Sequence, residues 1–363
     1  MHLRTLFTRL RGLAAGTCVL ATGCSSPAPA IDHHQHVFSP DIARMLTTPE
    51  RSFRTLGASD VVAELDRAGI DRAVLLSVAY LYGSPGRAVD DAAARVRGEN
   101  DWTAAQAALF PTRLVALCGF NPLADHALAE LARCAGTPGL RRGIKLHFGN
   151  SDVQLDDPVH VAKVQGVFAA ANAHRMAIVV HLRASISRQR PYGAPQVRKF
   201  LDQVMPSAPD VPVQVAHLAG SGPGYDDIPA RDAMREFAAA IGRGEPSTRH
   251  LWFDVASIVD AEMSPMLAET VAGFVRAVGP ARVLFGSDAA VGANLRPAEA
   301  WAAFRRLPLT RDELAVSCQR RSLSKVTRQS THLCRDRAEL IAAVPPQESG
   351  VDRIDVKPES CDT

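Results

Sequence analysis

The stretch Ile31-Asp32-His33-His34-Gln35-His36 lies in an apolar segment, residues 30–38, that opens the regular part of the chain. His34 and His36 are two apart, so on a strand both imidazoles point the same way. At the mouth of a sheet two such rings can grip one metal ion. Alone, a His-x-His pair is weak evidence. Seven further apolar runs give it weight: 72–78, 114–120, 143–147, 177–182, 213–218, 251–256 and 283–287. Four of them carry an ionisable residue at or near the end: Gly143-Ile144-Lys145-Leu146-His147, Val179-Val180-His181-Leu182, Val215-Ala216-His217-Leu218 and Phe285-Gly286-Ser287-Asp288. Such a group inside an apolar run costs free energy unless it is paired or bound to metal. A single case reads as a satisfied core histidine. A set in phase across one sheet does not.

Several runs are continuous Val/Ile/Leu stretches, as in strands buried on both faces. Between them lie helical patterns at 60–68, 125–134, 158–173, 194–204, 229–241, 265–278 and 297–307. Pro229, Pro265 and Pro297 suit first-turn positions. Thr310 and Glu313 form a capping-box pattern for a last helix. Eight strand-then-helix units predict an α/β protein with a TIM-type (β/α)8 barrel; an open doubly wound sheet is the alternative.

The 363 residues are 47% hydrophobic and 22% charged, with a net charge of +3. The positive residues are dispersed, with no basic stripe and interleaved aromatics, which argues against nucleic-acid binding. Arg4, Arg9 and Arg11 precede a short apolar run and then Gly23-Cys24-Ser25-Ser26-Pro27. This pattern predicts an export signal over 1–23. Cys24 and the spacer 24–29 predict a lipid anchor and a periplasmic or membrane-anchored protein of a bacterium. The barrel is expected over 30–316. Residues 317–363, rich in Ser, Arg, Thr and Asp, read as an atypical, weakly ordered tail. The seven cysteines include no Cys-x-x-Cys pair, so buried thiols are expected at Cys118 and Cys134.

His-x-His on the first strand, His on the fifth and sixth and Asp on the eighth resemble the amidohydrolase superfamily. Asp32-His33-His34-Gln35-His36, Gly143-Ile144-Lys145-Leu146-His147 and Gly286-Ser287-Asp288 look most like its amidohydrolase-related branch, which holds aminocarboxymuconate-semialdehyde decarboxylase and the pyrone-dicarboxylate lactonases. The resemblance implies that His34, His36, His181 and Asp288 ligate one divalent ion, with Zn²⁺ suited to that set and a second metal not expected. It implies catalytic roles for Asp288, as proton carrier, and His217, as the group that polarises a carbonyl. Lys145, His147, Arg183 and Tyr80 are expected to line the pocket for a small-molecule substrate. The implied activity is hydrolysis of a small carboxylated cyclic ester or amide. The rivals are non-oxidative decarboxylation in the same cage, and an exported barrel that only binds metal or ligand.

Overall fold

The computed structural model describes residues 28–87, 89–290 and 294–317. The export signal, Cys24 and all of the expected tail except Ser317 lie outside the described residues. Eight strands follow in order: β1 (Ile31–Gln35), β2 (Arg72–Leu76), β3 (Leu114–Gly119), β4 (Gly143–His147), β5 (Ala177–His181), β6 (Val213–Val215), β7 (Leu251–Asp254) and β8 (Val283–Leu284). Each pairs in parallel with the next, in the order β1 to β8. The ring closes beyond β8, where the His33 N–H donates to Phe285 O (2.9 Å) and the Asp288 N–H to His34 O (2.8 Å). That closure is the (β/α)8 barrel and excludes the open sheet.

Eleven helices connect and cover the described strands: α1 (Pro40–Leu46), α2 (Ala58–Ala68), α3 (Ala92–Ala108), α4 (Ala127–Gly136), α5 (Phe148–Ser151), α6 (Pro158–Ala173), α7 (Ala194–Lys199), α8 (Ile228–Gly242), α9 (Pro265–Val278), α10 (Pro297–Phe304) and α11 (Arg311–Ser317). Helix α2 shows why they form. Val61, Val62 and Leu65 share its buried face, Asp60 accepts the Gly57 N–H at 2.9 Å, and Gly69 ends it in left-handed backbone. Burying each of those side chains contributes roughly 1.5–3 kcal/mol, and Leu65→Ala is the single change that would loosen it most. At α11 the expected capping box is present: the Glu313 N–H donates to Thr310 Oγ1 (3.2 Å) and the Thr310 N–H to Glu313 Oε2 (2.7 Å).

The strands alternate between two cores. Ile31, Val74, Leu76, Leu117 and Val179 fill the barrel interior, while Ala73, Leu75, Ala116, Ile178 and Val180 face the helices. The apolar interior is a plug that leaves the carboxyl ends of the strands free for polar residues. Two expectations need correction. Helix α3 lies where no helix was read. Cys118 of β3 and Cys134 of α4 form a disulfide, with Cα atoms 6.3 Å apart, and are not free thiols. The pairing depends on α4 packing beside β3, which spacing in the chain does not reveal.

Candidate active site

The carboxyl ends of the strands bring most of the expected residues together. His34, at the end of β1, is anchored by Asp254, the last residue of β7: its Nδ1 lies 3.0 Å from Asp254 Oδ2. Asp254 is fully buried. Burial pushes its carboxyl up, but His34 and the His217 N–H outweigh that and hold it well below the usual carboxylate range. An ionised carboxylate only accepts, so His34 Nδ1 carries the hydrogen and Nε2 keeps its lone pair. Lys145 Nζ lies 3.2 Å from that Nε2. His36 is oriented the same way. Its Nδ1 is 2.5 Å from Leu76 O, which can only accept, and its Nε2 is 3.3 Å from Asp288 Oδ1.

Asp288 follows β8 with left-handed backbone (φ 54°). Asn294 donates to its Oδ2 at 3.0 Å and to its backbone carbonyl at 2.8 Å. Its Oδ1 is buried and has no hydrogen-bond partner. Burial pushes the Asp288 carboxyl up to about 8, against the opposing pull of Lys145. Burial brings Lys145 down to about 8 and His36 down to about 3. His34, His147 and His181 are lowered well below the ordinary histidine value, again chiefly by burial. The site gathers buried imidazoles, whose protonation burial disfavours, around one carboxylate oxygen with no hydrogen-bond partner.

The donor atoms of His34, His36 and Asp288 lie within 4.8 Å of one another. This set fits a divalent ion. Both imidazoles have Nδ1 tied to an acceptor and keep the Nε2 lone pair, the arrangement seen when histidine ligates metal, and the buried Asp288 Oδ1 needs a positive partner. A second cluster, His34, His217 and Asp254, adjoins it. His181 belongs to neither cluster among the described residues. Its ring stacks on His147 (centroids 3.8 Å apart) and stands edge-on to His217 at 5.0 Å.

His217 sits in the turn after β6. Its N–H donates to Asp254 Oδ1 (2.8 Å), and its Nδ1 lies 2.8 Å from Ala256 O. Nδ1 therefore carries the hydrogen and Nε2 is an acceptor. His147 has the opposite tautomer. Its Nδ1 accepts the Asn150 N–H at 3.1 Å, so the neutral ring presents Nε2–H as a donor. Tyr80 lies beside it, ring centroids 5.0 Å apart, with its hydroxyl pushed up by burial. Arg183 is brought near but is engaged. It forks onto Asp227 (2.7 and 3.3 Å) and gives its third nitrogen to Ala184 O.

Several residues that matter here were not singled out from the sequence. Asp254 ends an apolar run as Asp288 does, and the same reasoning would have found it. Asp32 is buried between β1 and β8. It accepts from Ser287 Oγ (2.6 Å), Gln35 Nε2 (2.9 Å) and the His34 N–H (3.1 Å), and burial raises its carboxyl to about 6. It ties the ligand-bearing ends of β1 and β8 together. Asn294 carried no signal, because its role rests on its two hydrogen bonds to Asp288, six residues earlier, which residue type alone does not reveal.

A closed parallel barrel with ionisable residues gathered at the carboxyl ends of its strands defines an enzyme of the (β/α)8 class. The family model described as Amidohydrolase matches residues 31–320, and the chain belongs to that family. It is an enzyme of the amidohydrolase superfamily. No curated protein sequence matches the chain. Among solved structures it is similar to 5-carboxyvanillate decarboxylase from Sphingomonas paucimobilis (19% identity, 81% of this chain and 97% of that one, TM-score 0.55). It is also similar to an amidohydrolase from Burkholderia multivorans with bound zinc (18%, 80% and 95%, TM-score 0.52). A third is a probable 2-pyrone-4,6-dicarboxylic acid hydrolase from Acinetobacter baumannii (15%, 79% and 95%, TM-score 0.51).

Proposed function

We propose that this enzyme hydrolyses a C–O or C–N bond in a small cyclic ester or amide, using one divalent ion, Zn²⁺, held by His34, His36, His181 and Asp288. The observation that carries the reading is Asp288, whose buried Oδ1 has no hydrogen-bond partner and stands 3.3 Å from His36 Nε2. When bound, the ion supplies Lewis acidity and a positive charge that favours the ionised form of Asp288. Asp288 then accepts a proton from the attacking water and returns it to the leaving oxygen or nitrogen. Water is thus added across the bond, giving an acid and an alcohol or amine. His217, when protonated, and the His147 Nε2–H donate toward the substrate carbonyl. The substrate is proposed to carry a carboxylate as well; Arg183 is held by Asp227, which leaves Lys145, beside His34, as the cation that would meet it.

Decarboxylation is the second reading. In that reaction Asp288 would deliver a proton to the carbon that loses CO₂. The similarity to a barrel named as a decarboxylase supports keeping this reading. The proposal also takes the chain as exported through residues 1–23 and lipidated at Cys24. The Cys118–Cys134 disulfide supports an oxidising compartment.

The test is elemental analysis of the purified protein alongside His34→Ala and Asp288→Asn, followed by a screen of lactones, amides and aromatic acids. About one Zn²⁺ per chain, lost in His34→Ala, with acid released from a lactone or amide, is the expected result. CO₂ release without hydrolysis would move the assignment to decarboxylation. A protein that retains no metal would overturn the zinc reading.

A further inference from the structure

Three consecutive residues after β6 hold left-handed backbone with no glycine among them: His217 (φ 58°), Leu218 (φ 43°) and Ala219 (φ 60°). A side chain on an L residue resists that conformation, and single residues adopt it more readily than runs. The turn must be held by its surroundings. At its start the His217 N–H is taken by Asp254, and at its end the Gly220 N–H closes on His217 O at 2.8 Å. The two carbonyls in between are each capped by a tyrosine. Tyr225 donates its phenolic hydrogen to Leu218 O at 2.6 Å, and Tyr192 donates to Ala219 O at 2.7 Å.

The tyrosines arrive from different loops, and the chain is shaped to admit both. A Cβ on Gly220 would lie 2.9 Å from the Tyr225 ring, so only glycine allows that approach. Gly222 (φ 80°) and Gly224 (φ 83°) turn the backbone so that Tyr225 folds back under the turn. Tyr225 is 2% exposed and packs edge-on to Phe274 of α9, centroids 6.3 Å apart. The Arg183 guanidinium covers the Tyr192 ring, 4.8 Å from its centroid, while forking onto Asp227 at the start of α8. Neither tyrosine is among the residues singled out for chemistry, yet each hydroxyl ends on the strained turn that carries His217.

We propose that Tyr192 and Tyr225 are positioning residues for His217. Their hydroxyls hold the Leu218 and Ala219 carbonyls in place. This keeps the turn left-handed and the His217 ring aimed into the site with Nε2 as its open nitrogen. The consequence for turnover rests on the role of His217 proposed above; the geometry itself does not.

The test reads the ring directly. Full-length, zinc-loaded protein labelled with ¹⁵N-histidine is examined by long-range ¹H–¹⁵N correlation, with the His217 signals assigned by their loss in His217→Asn. The wild type is expected to give one His217 set with Nδ1 protonated. Tyr192→Phe and Tyr225→Phe are each expected to add a second set holding roughly a tenth of the intensity or more, and the double variant a larger share. Ala219→Gly removes the Cβ that resists positive φ. Added to Tyr192→Phe, it is expected to return the spectrum to one set. An unchanged His217 set in both single variants would overturn the proposal, even with a lowered Tm, since that is all a merely structural role would produce. Failure of Ala219→Gly to restore the Tyr192→Phe spectrum would also overturn it. If the double variant does not fold, the single variants decide. None of these outcomes bears on the hydrolytic reading, which stands or falls on metal content and turnover.

Discussion

Asp254 of β7 reaches across the barrel mouth to His34 of β1, with Oδ2 3.0 Å from Nδ1. The same carboxylate accepts from Gln214 Nε2 (2.6 Å) and from the His217 N–H (2.8 Å). One buried acid therefore sets the tautomer of a proposed ligand and the start of the turn that carries His217. Asp254→Asn keeps the shape but can offer an N–H to His34 Nδ1, which would move the ring hydrogen to Nε2. The variant is expected to hold its ion about 10–100-fold more weakly, measured by competition with a chromogenic chelator. Wild-type affinity would sink the anchoring role.

Gly286 makes a different prediction at the same strand end. A Cβ there would stand 2.8 Å from His34 Cβ and 3.1 Å from Ala256 Cβ. Gly286→Ala must push β8 away from β1, at a cost of roughly 1–3 kcal/mol, and Asp288 moves with it. Both the urea midpoint and the retained metal are expected to fall. Gly273→Ala in α9 is the control. Its Cβ meets nothing within 4 Å, so it is expected to stabilise the protein by up to about 1 kcal/mol. Equal effects from the two variants would count against the packing argument.

The strands were legible because a parallel barrel buries both faces of each strand, so they appear as unbroken apolar runs. His34, His36 and Asp288 were legible because charge at the end of such a run needs a reason. Helix α3 was not legible because polar residues share its inward face: Val96, Glu99, Asn100, Thr103 and Ala107 have helical spacing, but only two of the five are apolar. Asn100 turns that polarity to use, exchanging hydrogen bonds with both the N–H and the carbonyl of Gly119. The turn at His217 was missed because nothing in Val215-Ala216-His217-Leu218 signals left-handed backbone. Distant groups impose it. Arg183 follows β5, but its partner, Asp227, lies 44 residues further on, so the ion pair could not be read from the sequence.

The Cys118–Cys134 bridge closes a short loop, with a sequence separation of 16. A loop of that size stabilises the fold by about 3 kcal/mol, through loss of freedom in the unfolded chain. Reducing the wild type is expected to lower the urea midpoint accordingly. Cys118→Ala with Cys134→Ala should show the lower value with or without reductant. A wild-type midpoint indifferent to reductant would mean that both sulfurs are thiols, as the sequence alone suggested.

Glu99 gives stability a dependence on pH remote from the proposed metal ligands. It is buried on α3, with the Ser39 N–H 3.5 Å from Oε1. Burial raises its carboxyl from the ordinary 4.5 to about 7. The folded chain therefore holds a proton that the unfolded chain releases between those values. The contribution is fully present below pH 4.5 and is lost as pH rises through 7. Glu99→Gln removes the titration and keeps the shape. The wild type should thus lose stability relative to the variant from about pH 5 to pH 8, by on the order of 2–3 kcal/mol at the upper end. Urea unfolding of both proteins at half-unit pH steps measures the difference. Parallel curves across that range would show that Glu99 is ionised in the fold at no cost, with its charge met by groups other than Ser39.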